Sequence, residues 1–187
     1  MLIFVAVSAW ISLKHTPKFN RTDKVNSVCM VTVLALSGAM FFLFGSSVSL
    51  LKGILASLVL LYASVCDYRE RQVPDCVSVM ILLIGILNIT ASTLVIRAAV
   101  CLGVLLFLLL AASFRKSHFG GADIKLTSAC FMLTGLINGI DALIIGLALS
   151  VICTLIRNKK TKTKDNSMPL IPYISIGFLT VILIGGF

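Results

Sequence analysis

The sequence predicts an all-α, polytopic membrane helix bundle. Three observations carry that expectation: scarce charge, recurring long apolar runs, and basic residues gathered into a few loops. Hydrophobic residues make up 59% of the 187 positions, charged residues 12%, and the mean hydropathy is +1.09. A soluble domain uses about 25% charged residues to cover its surface. A water-hidden core can absorb one apolar run, but runs along the whole length need lipid as their solvent.

Apolar segments fall at about 1–13, 25–44, 49–66, 76–90, 93–114, 123–137, 139–156 and 169–187. At 1.5 Å rise per residue, ~20 residues cross a ~30 Å hydrocarbon layer. Several runs are shorter than this and must tilt or borrow polar flanks. The first run has no basic stretch ahead of it, so a cleaved signal peptide is not expected. The expectation is about eight transmembrane helices in one membrane-embedded domain, 1–187. Six is the fallback if residues 1–48 are accessory and 49–187 form the core.

Charge placement supports this threading. The net charge is +9, and fourteen of the sixteen basic residues lie in four loops: Lys14 to Lys24, Arg69 and Arg71, Arg115 to Lys125, and Arg157 to Lys164. Eight spans put all four loops on one side, and Lys52, Arg97 and Asp141 on the other. Basic residues in alternate loops mark the cytoplasmic face, so the charge sets orientation and no nucleic-acid partner is expected. The polar stretch 157–167 reads as a cytoplasmic loop. The six cysteines form no C-x-x-C pair and mostly sit in apolar runs, where thiols pack as small hydrophobes. No metal site is expected.

Seven acidic residues are present, and four fall in two clusters at the same expected membrane boundary. "CDYRERQVPD" (66–75) closes the third run with Asp67, Glu70 and Asp75. "HFGGADIK" (118–125) opens the sixth with Asp123. Two carboxylates sharing a site cannot both ionise cheaply, so their pKa values split. One member then takes a proton from water while the other, protonated, polarises a carbonyl. Helix ends favour the anion at Asp123, which begins a helix, over Asp67, which ends one; Arg69 and Arg71 push the other way. The assignment is open at this level.

These segments resemble a known family. "DYRERQVPD" is similar to the D-x-R-x-x-x-(I/V)-P-(N/D) segment of the prepilin (type IV leader) peptidases, and "GGADIK" to their G-x-G-D-(V/I)-K segment. A weaker echo is "MPLIPYISIGF" (168–178), like the proline-containing stretch that opens the family's last helix. The resemblance implies Asp67 and Asp123 as the catalytic pair, with Gly120 and Gly121 allowing close backbone approach. Lys125, Arg69, Arg71 and Pro74 would support the site. It departs from the family pattern at Ala122, where a glycine normally precedes the second aspartate. The cytoplasmic domain with two C-x-x-C pairs, found in methylating members, has no counterpart here, so methyl transfer is not expected.

The activity implied is aspartic endopeptidase cleavage of prepilins or pseudopilins, proteins with a short basic leader before an apolar helix. Cleavage would occur at the cytoplasmic face of a prokaryotic inner membrane, with no cofactor. Two rivals differ in kind. A cysteine membrane peptidase would use Cys66 or Cys76 with His118. A non-enzymatic transport or assembly subunit, or an inactive homologue, would use the carboxylates otherwise.

Overall fold

The computed structural model describes residues 35, 38–42, 48–114, 120–161 and 170–184, without the side chains of 69, 70 and 158–161. Among these residues there is no strand. Six helices follow in order: α1 (Val48–Glu70), α2 (Asp75–Ile86), α3 (Ala91–Phe114), α4 (Gly121–Thr134), α5 (Leu136–Thr161) and α6 (Ile171–Leu183). Residues 38–42 are also helical. The expected count of eight is therefore not reached among the described residues. The first expected run, 1–13, lies wholly outside them and the second, 25–44, mostly so; the other six runs each carry one helix.

Three helices are long and apolar enough to cross a bilayer, at Val48–Tyr68, Ala91–Phe114 and Leu136–Arg157. The chain is a membrane protein on this ground. The others are shorter for local reasons. Pro74 precedes α2, where its missing N–H costs nothing, and Asn88 (φ 55°) turns the chain after α2. Gly135 (φ 84°) ends α4 in a backbone conformation that side chains disfavour. At 12, 14 and 13 residues, α2, α4 and α6 are ~18–21 Å long.

Helix directions follow from the contacts. Lys52 Nζ, near the start of α1, donates to the Gly85 carbonyl at the end of α2 (3.2 Å). Arg97, near the start of α3, donates to the Leu133 carbonyl at the end of α4 (2.7 Å). Both pairs are thus antiparallel, and each cation meets the unsatisfied carbonyls of a helix C-terminus, where it is favoured. α2 and α4 run parallel, joined at their starts by the Lys125–Asp75 ion pair. One end of the bundle therefore gathers the end of α1 and the starts of α2, α4 and α6. Lys52 and Arg97 stand at the other.

α4 is the central element: Ile124 and every residue from Leu126 to Thr134 are buried. A helix with no polar face belongs in the middle of a bundle. It packs on α2, α3, α5 and α6, and Phe131 meets Phe178 of α6 edge to face, centroids 6.0 Å apart. α3 is the opposite case. It has no buried residue, and Val95, Ile96, Leu102, Leu106, Phe107 and Leu110 are all exposed, an apolar surface suited to lipid.

α5 and α6 meet most closely. A Cβ at Gly177 would collide with the Ala142 carbonyl oxygen and come within 2.8 Å of Gly146 N, and one at Gly146 would come within 2.9 Å of Ile174 Cα. Small residues of this kind let membrane helices approach backbone to backbone. Gly177→Ala is expected to lower unfolding stability in detergent by ~1–3 kcal/mol, the cost of overpacking. Gly103→Ala on α3, whose Cβ meets nothing within 4 Å, is expected to be neutral or slightly stabilising; equal loss in both would contradict the packing account.

Candidate active site

The site begins with an acid where acids are costly. Asp67 lies in the last turn of α1 and is only 7% exposed. Its Oδ2 accepts a hydrogen bond from the backbone N–H of Ile171, the first residue of α6, at 3.1 Å. The first N–H groups of a helix lack intrahelical acceptors, so this donor is available without cost to α6. Pro172 sits in the same turn, a position suited to its fixed φ. Behind it, Ser175 Oγ donates to the Leu60 carbonyl at 3.4 Å, a second tie between α6 and α1.

The chain after Asp67 turns sharply. Arg71 N donates to the Asp67 carbonyl at 3.0 Å and Arg71 takes a left-handed φ of 52°, which costs a non-glycine residue ~1 kcal/mol. Arg71 also acts electrostatically on the Asp67 carboxyl. Pro74 then caps α2, its carbonyl accepting from Val77 N at 3.1 Å. Of Arg69, the other basic residue expected here, the side chain lies outside the described residues, as does His118.

Asp123 enters from the first turn of α4, ahead of that helix's buried stretch and outside the three long spans. Its N–H donates to the Gly120 carbonyl at 3.0 Å. Burial first, and the nearby Asp67 charge second, push its carboxyl up to about 6. The two carboxyls stand 56 positions apart in sequence, yet the end of α1 and the start of α4 lie at the same end of the bundle.

The two glycines differ. A Cβ at Gly120 would stand 3.0 Å from Asp123 Oδ2 and 3.4 Å from its Cγ, whereas one at Gly121 meets nothing within 4 Å. Gly120 has φ −61°, so its requirement is space for the carboxyl and not an unusual backbone angle. Lys125 turns away from the pair, its Nζ bonding Asp75 Oδ1 at 2.9 Å with both side chains more than half exposed. Such a pair is worth ~0–1 kcal/mol; its consequence is register, since it links the starts of α2 and α4. Cys66 is buried and Cys76 exposed. Among the described residues no group of His, Cys, Asp or Glu is arranged to hold a metal.

Two features are not legible in the sequence. Asp75 stands in the first acidic cluster, but nothing there pairs it with Lys125. The Ile171 amide carries no side-chain signature, although the proline of "LIPY" hinted at a helix start there.

A family model described as the type IV leader peptidase family matches residues 54–157, more than half of the chain. The chain belongs to that family. This type IV leader peptidase homologue is therefore a membrane protein of a peptidase family, with Asp67 and Asp123 both inside the matched region and α6 outside it. No curated protein and no solved structure matches it.

Asp67→Asn removes the negative charge that raises Asp123. The Asp123 carboxyl is then expected to titrate lower than about 6, yet above an ordinary aspartate, because burial, the larger cause, persists. Infrared titration of the carboxyl band reads this directly, with Asp123→Asn as the blank for the wild type and Asp67→Asn/Asp123→Asn as the blank for the variant. An unmoved midpoint would mean that the two groups do not interact.

Proposed function

We propose that this protein is an aspartic endopeptidase that removes the short basic leader of prepilin-like or pseudopilin-like proteins, with Asp67 and Asp123 as its catalytic pair. One observation carries the reading: the end of α1, which bears Asp67, and the start of α4, which bears Asp123, lie at the same end of the bundle, where Asp67 accepts from the first turn of α6. Family membership supplies the peptidase class. The grouping of basic residues in alternate loops supports a site at the cytoplasmic face of a prokaryotic inner membrane.

The chemistry follows from a pair that shares one proton. The ionised member takes a proton from water as the water oxygen bonds to the scissile carbonyl carbon. The protonated member gives its proton to the carbonyl oxygen, and a neutral gem-diol results. Collapse breaks the C–N bond: the proton just taken passes to the departing amine, and a gem-diol hydroxyl returns its proton to the other carboxylate. One water is consumed and the pair regains its starting state. Such a pair titrates as a unit.

The bilayer contributes position. A substrate whose leader precedes an apolar helix inserts that helix in the same membrane, which fixes the depth of its scissile bond and turns encounter into an almost intramolecular step. Gly120 leaves the room that the Asp123 carboxyl occupies. Arg71 and Pro74 shape the turn after Asp67, and the Lys125–Asp75 pair sets α4 against α2. Gly121 and Arg69 stand beside the two aspartates in sequence as further supporting positions.

Co-expression with candidate prepilins, scored for leader removal, tests the reading. Asp67→Ala and Asp123→Ala are each expected to abolish cleavage while inserting normally; cleavage retained in either would overturn the pair. For the wild type, kcat/KM is expected to fall on the alkaline side from about 6 upward, as the pair loses the shared proton that the carbonyl needs. It also falls on the acid side as the base is protonated. Gly120→Ala, whose Cβ must displace the carboxyl, is expected to cut kcat/KM by ~10-fold or more, since small misplacements of catalytic groups are costly. Gly121→Ala is expected to cut it far less.

A further inference from the structure

Resting on the two-aspartate reading above, the asymmetry between the carboxyls assigns their roles. We propose that Ile171 is a positioning residue whose backbone N–H, at the first turn of α6, holds Asp67 as the ionised member, so that Asp67 takes the proton from water and Asp123 carries the proton given to the carbonyl oxygen.

Three observations carry this. The Ile171 N–H donates to Asp67 Oδ2 at 3.1 Å in a buried setting, and a charged acceptor binds such a donor about twice as strongly as a neutral one. The donor also stands at the positive end of α6, which adds its dipole to the bond. Second, the Asp123 carboxyl has no hydrogen bond or ion pair among the described residues; the charge near it is that of Asp67. Third, Asp67 lies at the carbonyl end of its own helix, which disfavours an anion. On α1 and α4 alone the anion would therefore reside on Asp123, and the α6 amide reverses that order.

Among the described residues, other charged and titratable groups stand at this end of the bundle. Arg71, in the turn after α1, acts electrostatically on Asp67, and Asp67 acts in turn on Asp123 of α4. α2 brings Asp75, which is exposed and held by Lys125. α6 brings Tyr173, on which Tyr68 of α1 and Cys153 of α5 act. The α6 amide differs from all of these because it lies beyond the matched region, 104 positions from Asp67. Docking of α6 thereby bears on the protonation state of the pair.

The test removes one hydrogen atom. Replacing Ile171 by its α-hydroxy acid through nonsense suppression turns the amide into an ester, deleting the donor and keeping the side chain. Two or three backbone donors can lower a carboxylate by about two pH units, so losing one is expected to move the acidic limb of kcat/KM up by about one unit. Activity on that limb then falls ~10-fold. Ile171→Ala, which keeps the N–H, is expected to leave the limb in place. An ester at Ile176, exposed on the same helix, controls for a weakened α6.

An unmoved limb in the 171 ester, or an equal shift from the 176 ester, would overturn the assignment. Should the 171 ester protein be inactive, infrared titration in an Asp123→Asn background isolates Asp67 as the signal missing from Asp67→Asn/Asp123→Asn. A midpoint about one unit higher in the ester supports the proposal, and an equal midpoint refutes it. Cleavage surviving in Asp67→Ala defeats the catalytic pair itself. A silent ester with a working pair defeats the role of Ile171 alone.

Discussion

The hydrogen bond from the first amide of α6 to the Asp67 carboxyl is the constraint around which the rest of this end of the bundle is arranged. A carboxylate removed from water is costly unless something polar meets it. Asp67 is only 7% exposed, at the end of a helix whose terminal carbonyls offer it no help. The structure answers with the start of another helix, and that requires α6 to lie against α1 with its N-terminus at one particular depth. Ser175 on Leu60 and the close approach of α5 and α6 at Gly146 and Gly177 hold that depth. Packing far from the carboxyls is thus part of how they are placed.

Both ends of the bundle use the same electrostatics with opposite sign. Where helices begin, carboxyls gather: Asp67 against α6, Asp123 in the first turn of α4, Asp75 in that of α2. Where α2 and α4 finish, Lys52 and Arg97 bind the last carbonyls. The Asp67 bond and the two cation bonds satisfy backbone groups that water would satisfy in a soluble protein and that lipid cannot. α4, the buried helix bearing Asp123, is also fixed at both ends: Lys125 ties its start to α2 and Arg97 its finish to α3.

Much of this was legible in the sequence because lipid simplifies the code. A residue in a membrane either tolerates hydrocarbon or has a specific reason not to, so six apolar runs could be located within a few residues of α1 to α6. The acidic clusters stood out against the same background, and their motifs resemble the family that the comparison then gave. What remained hidden has a common cause. The Ile171 amide is a backbone group, which every residue but proline carries. The pairing of Lys125 with Asp75 spans 50 positions and depends on α2 and α4 running parallel. Gly120 and Gly121 look alike in a string of letters, and only the position of the Asp123 carboxyl separates them.

The claim that Asp67 and Asp123 converge on one water is tested most directly by proximity in the native membrane. In a cysteine-free background, cysteines placed together at 67 and 123 can be treated with a short bifunctional thiol reagent and a protease cut introduced between them. The two fragments are expected to stay joined, and either cysteine alone to leave them separate. Fragments that part, although both thiols react with a monofunctional maleimide, would contradict it.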